Sequence, residues 1–240
     1  KASEAMQLFK EANRMLNQLD AVYQTHGVVN IMDANADGDD LLLNGKRFPL
    51  LRQQAAKLKK DDPFLCLSDF VRPLSSGITD KIGAFATTVD AEMEQLYAED
   101  DYKRMLVQTL SDRLAEATAE KLHEDVRKKL WGYAPDENLS VKDLHNEKYQ
   151  GIRPAVGYPS LPDQSINFLL DELLDMKQIG ISLTENGMMK PHASVCGLMF
   201  AHPASRYFSI GKIGEDQLAD YAARRGMSIE ETKKFLAANL

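Results

Sequence analysis

The sequence predicts an α+β fold, in which several helices flank a mainly antiparallel, twisted sheet. Apolar residues at helical spacing and short apolar runs typical of strands both occur, without the regular strand–helix alternation of a doubly wound protein. Short turns join neighbouring strand patterns, as in antiparallel hairpins. No flexible linker, internal repeat or low-complexity tract is present, so we expect residues 1–240 to form a single domain.

Composition narrows the classes of partner and compartment. The formal net charge of −7 argues against nucleic acid or an anionic membrane as the main partner, because both are bound mainly through basic patches. There is no signal peptide and no apolar run long enough to cross a bilayer. Cys66 and Cys196 are far apart in the chain, which argues against a structural zinc site or a disulfide framework. The expected location is the cytoplasm.

Hydrophobic periodicity predicts two helices and four strands in the first part of the chain. Leu8, Met15 and Leu19, for example, recur on one face of the first helix. In chain order we predict a helix over 5–19, strands over 28–32 and 41–43, a helix over 50–58, and strands over 64–67 and 82–89.

The segment 33–39 resembles the start of an EF-hand calcium loop. Asp33, Asn35 and Asp37 match its first, third and fifth ligand positions, and Gly38 is the required sixth residue. The twelfth position, however, is Asn44 instead of a bidentate glutamate, and it begins an Asn-Gly turn. We therefore interpret the Asp-Gly step as a hairpin turn and reject a calcium site.

The second part of the chain is predicted to be mostly helical. A helical pattern covers 91–130, and an amphipathic helix follows over 166–176. Strand patterns over 193–201 and 206–213 predict a hairpin. Two helices end the chain, with Gly226 as a helix C-cap and Ser228 and Glu231 as a capping box.

The strongest candidate for a binding site is the segment 153–159, which we call the site loop. Pro154 and Pro159 stiffen its backbone, and Gly157 permits close approach of a ligand or an unusual backbone angle. Arg153 offers donors matched to a carboxylate or phosphate, and Tyr158 offers an aromatic face. The loop suits a small anionic or zwitterionic ligand. A plain surface turn anchored by Tyr158 is the alternative.

Two further groups of polar residues have both a functional and a structural interpretation. Asp69 follows a short apolar strand pattern, where it either contributes to a site or caps the next turn. Asp112, Glu116 and His123 share one face of a helix, but their spacing is not that of a zinc protease, and a polar stripe is the favoured interpretation.

Motifs for catalysis are absent. The sequence has no GxSxG nucleophile elbow, no P-loop and no GxGxxG after a strand, so we predict neither a catalytic residue nor a metal site.

Several separate motifs occur in order over nearly the whole chain: 67–71 (LSDFV), 82–86 (IGAFA), 112–117 (DRLAEA), 131–135 (WGYAP), 153–159 (RPAVGYP), 193–195 (ASV), 202–203 (HP) and the helices from 216 to 240. Together they resemble one family, the C-terminal S-adenosylmethionine-binding activation domain of cobalamin-dependent methionine synthase. The resemblance implies the fold of that domain, and a chain that is a C-terminal fragment of a larger multidomain enzyme.

The resemblance also implies a set of site residues. By matching position, the S-adenosylmethionine site would be lined by Asp69, Arg153, Ala155, Gly157, Tyr158, Tyr207 and Phe208. Glu116 and Glu147 would lie behind these contacts or at an interface. Arg153 would bind the ligand carboxylate, and Asp69 with the aromatic faces would meet its positive ammonium and sulfonium groups.

The implied function is reactivation of methionine synthase. S-adenosylmethionine would donate its methyl group to inactive cob(II)alamin, held by a separate cobalamin-binding domain of the same full-length chain, and restore methylcobalamin. A flavodoxin or a flavin reductase would supply the electron. The fragment alone would be inactive, and residues 190–194 are the expected corrin-facing edge. Two other hypotheses are a stand-alone S-adenosylmethionine-binding regulatory module and an independent enzyme acting on an anionic metabolite.

Overall fold

The protein is built on an antiparallel sheet with helices on both faces, which confirms the predicted α+β class. The computed structural model describes residues 2–54 and 62–240. Its strands are β1 (Thr25–Asp37), β2 (Asp40–Leu43), β3 (Lys46–Pro49), β4 (Asp80–Val89), β5 (Ser182–Leu183), β6 (Met189–Lys190) and β7 (Ser194–Met199). Its helices are α1 (Ala2–Asp20), α2 (Asp101–Asp125), α3 (Val141–His145), α4 (Ile166–Leu174), α5 (Glu215–Arg225) and α6 (Ile229–Phe235). Within these described ranges, no helix is long and apolar enough to cross a membrane.

Five strands form the main sheet in the order β3-β2-β1-β4-β7, and each neighbouring pair is antiparallel. Because successive side chains of a strand point to opposite faces, β4 contributes to two cores. Phe85 packs with Met199 and with Ala119 of α2 on one face. Ala84 and Ala86 belong to the larger core on the other face, which includes α4. The sheet thereby fixes α2 relative to β7, and both elements contribute residues to the candidate site.

The early hairpin forms as predicted. Strand β1 continues through Asp33 to Asp37, and Gly38, with φ of 62°, makes the turn into β2. Asn44 and Gly45 both have positive φ, 48° and 82°, and they turn the chain from β2 into β3. The acidic segment is therefore the end of a strand and its turn, not a loop that leads into an exit helix.

The predicted helix over 50–58 is wrong in the part that the structure describes. Residues 50–54 are not helical, and residues 55–58 lie outside the described residues. Arg52 forms an isolated antiparallel bridge with Cys66, and the Gln53 N–H donates to the Leu65 carbonyl at 3.0 Å. These hydrogen bonds between distant segments replace the local ones of a helix. The predicted strand over 64–67 is likewise reduced to the Cys66 bridge, and a 3₁₀ helix, Leu67–Phe70, follows.

The helical pattern predicted over 91–130 forms three successive parts. A 3₁₀ turn, Ala91–Gln95, comes first, and Asp100 then caps α2 by accepting the Lys103 N–H at 3.0 Å. A π-helical turn, Val126–Leu130, continues from its end. At the C terminus Gly226 is left-handed and caps α5 as predicted. Of the predicted capping box the structure shows one half, in which the Ser228 hydroxyl accepts the Glu231 N–H at 3.1 Å.

The predicted hairpin between 193–201 and 206–213 is wrong, because the site loop occupies the position of the second strand beside β7. The Val156 N–H donates to the Cys196 carbonyl at 2.9 Å, and the Leu198 N–H donates to the Pro154 carbonyl at 3.1 Å. Residues 206–213 instead lie over the site loop, where the Ile210 N–H donates to the Pro159 carbonyl at 2.9 Å.

Gly197 makes this close docking possible. A Cβ atom at this position would lie 2.2 Å from the Pro154 carbonyl oxygen and 2.8 Å from the Ala155 Cα atom. Both neighbours are backbone atoms, so neither can rotate away as a flexible side chain would. The absence of a side chain at Gly197 is thus required for the site loop to pair with β7.

We predict that Gly197→Ala lowers the free energy of unfolding by about 2–3 kcal/mol, the upper part of the range for overpacking, because the added Cβ would meet backbone atoms. Gly27→Ala is the control, because the nearest atom to its added Cβ is a Leu122 side-chain carbon at 3.4 Å. We expect that variant to lose less than about 1 kcal/mol. Urea unfolding of the three proteins measures both values. Equal stability of the Gly197→Ala variant and the wild type would show that the loop does not depend on this contact.

Candidate functional site

A cavity of about 950 Å³ lies between helix α2 and the site loop. This is the size of pocket that typically holds a small-molecule ligand or cofactor. Its lining comprises Arg113, Glu116, Ala117, Glu120, Lys121, Glu124, Leu144, His145, Glu147, Arg153, Pro154, Ala155, Tyr158, Pro159, Ser160, Val195, Tyr207, Phe208 and Ser209.

Arg153 is held on the wall of this cavity by two contacts. Its Nη2 atom donates to Glu120 Oε2 at 2.7 Å, and its backbone N–H donates to the Tyr207 hydroxyl at 2.9 Å. The side chain is 16% exposed, and its Nε is buried without a hydrogen-bond partner among the described residues. A largely buried guanidinium with unused donors is suited to a bound carboxylate.

A buried cation and two aromatic residues lie behind Arg153. Arg127 makes a two-point ion pair with Glu137, at 2.8 and 2.7 Å, and its guanidinium carbon lies 4.3 Å from the centre of the Tyr149 ring. The edge of His123 meets the same ring, with the centroids 5.1 Å apart. Burial, and then the positive charges of Arg127 and Arg153, lower the pKa of His123 well below its usual value. His123 is therefore neutral in the folded protein.

Helix α2 presents a stripe of carboxylates to the cavity. Glu116, Glu120 and Glu124 follow at intervals of four residues and so share one face of the helix, and Glu147 joins them from another segment. The Tyr158 hydroxyl donates to Glu116 Oε1 at 3.2 Å, and burial followed by this carboxylate raises the pKa of Tyr158. Four glutamates thus outnumber the three arginine and lysine side chains of the lining. Such a wall favours a ligand that carries positive charge.

Most residues predicted from the sequence meet in this cavity. Its lining includes Arg153, Ala155, Tyr158, Tyr207, Phe208, Glu116 and Glu147. Gly157 does not line it. Gly157 has a φ of 86° and donates its N–H to the Leu161 carbonyl at 2.8 Å, so its contribution is to turn the site loop.

Asp69, which the resemblance places at the ligand, is not among the residues that line the cavity. Its two carboxylate oxygens accept from the guanidinium of Arg52 at 2.7 and 2.8 Å, and one also accepts the Cys66 N–H at 2.8 Å. Asp69 thus caps the 3₁₀ turn that it occupies, which is the structural alternative considered from the sequence. The sequence does not show that Arg52 comes so close to it.

Sequence reasoning overlooked Glu120 and Glu124. Glu116, Glu120 and Glu124 follow one another at intervals of four residues, which is the signal in the sequence that places all three on one helix face. The predicted set combined Glu116 with Asp112 and His123 instead. The structure separates that set, since Glu116 faces the cavity whereas His123 is fully buried against Tyr149.

A smaller cavity of about 280 Å³ adjoins the main one and includes part of the predicted corrin-facing edge. His192, Ala193 and Ser194 contribute to its lining. The two cavities share Tyr158 and Glu116 among their lining residues. Tyr158, which is 54% exposed, therefore borders both spaces.

Comparison with known proteins identifies the family. The family model of the vitamin B12-dependent methionine synthase activation domain matches residues 1–226. The chain belongs to this family. A crystal structure of the MetH reactivation domain bound to AdoHcy is 45% identical in sequence and superimposes with a TM-score of 0.93. That match covers 99% of this chain and 78% of the other, so the resemblance inferred from the motifs and the fold that it implied are both confirmed.

His123 predicts a specific pH dependence for this activation domain. Its folded pKa lies below its unfolded value of about 6.5, so below that pH the unfolded chain binds a proton that the folded chain excludes. His123 therefore leaves stability unaffected above about pH 6.5 and lowers it by up to about 1.4 kcal/mol per pH unit below that point. We expect His123→Phe to remove this loss.

Urea unfolding of both proteins at several pH values from 7.5 to 5 measures the difference. If both proteins lose stability equally on acidification, His123 is not the group responsible.

Proposed function

We propose that the cavity binds S-adenosylmethionine and presents its methyl group to a cobalamin held by another domain of the full-length methionine synthase. The observation that carries the proposal is the fixed guanidinium of Arg153 beside a wall of glutamates. S-adenosylmethionine has a carboxylate and two positive groups, an ammonium and a sulfonium. A site for it needs one well-placed cation and several carboxylates, which is the charge pattern of this lining.

Unpaired polar atoms in the cavity lining fit this ligand. Arg153 has unused N–H groups, including a buried Nε, that match a carboxylate in geometry. Glu120 Oε1 is also buried without a hydrogen-bond partner in the described part of the chain. Buried polar atoms are normally paired, so the lining retains unused capacity for a polar ligand.

Aromatic groups extend the fit beyond charge. Tyr158, Tyr207 and Phe208 line the same cavity and offer ring faces to an adenine base or to a positive sulfonium. The solved relative supports a ligand of this type, because it holds AdoHcy, which differs from S-adenosylmethionine by the absence of the donated methyl group.

The chain's own role is to bind and orient the methyl donor. Cobalamin bound to its own domain would supply the cobalt that accepts the methyl group during reductive reactivation, and a flavodoxin or a flavin reductase would supply the electron. The side chains of the cavity then need only hold the donor in a productive position. We place the corrin-facing edge at residues 190–194, which is supported by the small cavity that adjoins Tyr158.

The proposal extends to the context of the chain. We infer that residues 1–240 form one activation domain at the C-terminal end of a larger cytoplasmic methyltransferase. Membership of the activation-domain family supports this inference. The free, buried thiols of Cys66 and Cys196 are in keeping with a reducing compartment.

Calorimetry with S-adenosylmethionine tests the binding site. We expect saturable binding by the wild type, at least about 10-fold weaker binding by Arg153→Ala because a buried charge-assisted contact is lost, and a change of less than about 2-fold for Asp69→Asn. The Asp69→Asn variant distinguishes two alternatives. In the structure Asp69 lies outside the cavity lining, whereas the resemblance places it in contact with the ligand.

Undetectable heat for the wild type at millimolar ligand would end the proposal. Strong loss of binding in Asp69→Asn would mean that the binding site extends beyond the described cavity to Asp69.

A second experiment tests whether this chain only binds the methyl donor while another domain carries the methyl acceptor. The isolated chain, incubated with methyl-labelled S-adenosylmethionine, should transfer no label by itself, because its lining offers binding groups and the acceptor is elsewhere. Addition of the cobalamin-bearing domain and a reductant should give labelled methylcobalamin. Turnover of the ligand by the chain alone would contradict the mechanism.

A further inference from the structure

We propose that Glu120 is a positioning residue, which holds the guanidinium of Arg153 so that the remaining donors meet the ligand carboxylate. This inference rests on the proposed binding of S-adenosylmethionine and assigns a role to a residue that no sequence motif identified. The observation behind it is the 2.7 Å ion pair between Arg153 Nη2 and Glu120 Oε2 at the cavity wall.

Glu120 is placed to determine the orientation of Arg153. In the described part of the chain it supplies the one ion pair to this arginine. The other contact, with Tyr207, involves the backbone N–H of Arg153 and leaves the side chain free to rotate. An arginine side chain has many rotamers, and fixing it before the ligand arrives reduces the loss of entropy on binding.

The neighbouring glutamates are engaged elsewhere. Glu116 accepts from Arg113 Nη1 at 3.0 Å as well as from Tyr158, and Glu124 pairs with Lys121 at 3.1 Å. Among the glutamates of this helix face, Glu120 is therefore the one that pairs with Arg153. Because the guanidinium has five N–H donors and Glu120 Oε2 accepts from one nitrogen, donors remain for a second carboxylate.

Glu120 also offsets a buried charge. The Arg153 side chain is 16% exposed, and the buried guanidinium of Arg127, which stacks on Tyr149, is a second positive charge near His123. A largely buried cation without a counter-charge is costly, and such a side chain is displaced towards water. Loss of the Glu120 carboxylate should therefore move Arg153 out of its place, not simply strengthen its attraction for an anion.

The test compares Glu120→Ala and Glu120→Gln by calorimetry with two ligands, S-adenosylmethionine and its decarboxylated analogue. We expect Glu120→Ala to weaken binding of S-adenosylmethionine by about 10-fold or more, and Glu120→Gln by less, because the amide oxygen still accepts from Arg153. The decarboxylated analogue lacks the group that Arg153 binds, and the other glutamates of the lining remain to meet its positive groups, so Glu120→Ala should weaken its binding by a clearly smaller factor. Asp101→Asn is the control, since Asp101 pairs with Arg104 on the same helix.

The outcomes separate this inference from the proposed function. If the wild type binds S-adenosylmethionine and Glu120→Ala binds it with the same affinity, the positioning role alone is overturned. Equal losses for both ligands would also overturn it, because Glu120 would then contact a part of the ligand other than the carboxylate. No binding by the wild type would overturn the proposed function and the inference together. Urea unfolding of each variant confirms that it is folded.

Discussion

The edge of strand β7 carries the loop on which the candidate site is built. Backbone hydrogen bonds from Val156 and Leu198 fix the site loop against this edge, and they form because Gly197 leaves room for the Pro154 carbonyl. The position of Arg153 follows from this docking. A loop attached by its backbone to a central sheet is more rigid than one attached by side chains, and rigid support is what a preorganised binding site requires.

A second layer of contacts connects the loop to the interior on the side of α2. The ion pair of Arg127 with Glu137 and the stacking of Arg127 on Tyr149 are buried contacts outside the lining. The hydrogen bond from Arg153 to Tyr207 lies in the cavity wall itself. Buried charges contribute to a fold only when they are paired. Here the paired charges and rings lie close to the residues that we propose contact the ligand, so stability and the proposed binding depend on neighbouring groups.

Local sequence signals predicted those parts of the fold that depend on local geometry. The hairpin turn at Gly38 and the helix end at Gly226 follow from the backbone freedom of glycine, and the start of α6 follows from the capping hydroxyl of Ser228. The strand predicted over 206–213 was wrong, because the apolar pattern of that segment does not reveal that the site loop pairs with the edge of β7. The ion pair between Asp69 and Arg52 and the orientation of Glu120 towards Arg153 likewise depend on contacts between distant segments. The site loop itself was found because it concentrates its chemistry in a short stretch.

The most direct test of the central claim is a crystal structure of this chain with S-adenosylmethionine. The account predicts the ligand carboxylate within hydrogen-bond distance of the Arg153 guanidinium, with that guanidinium still paired to Glu120. It also predicts that the positive sulfonium lies in the cavity bordered by the glutamates of α2. A ligand bound outside this cavity, or one whose carboxylate makes no contact with Arg153, would contradict the account.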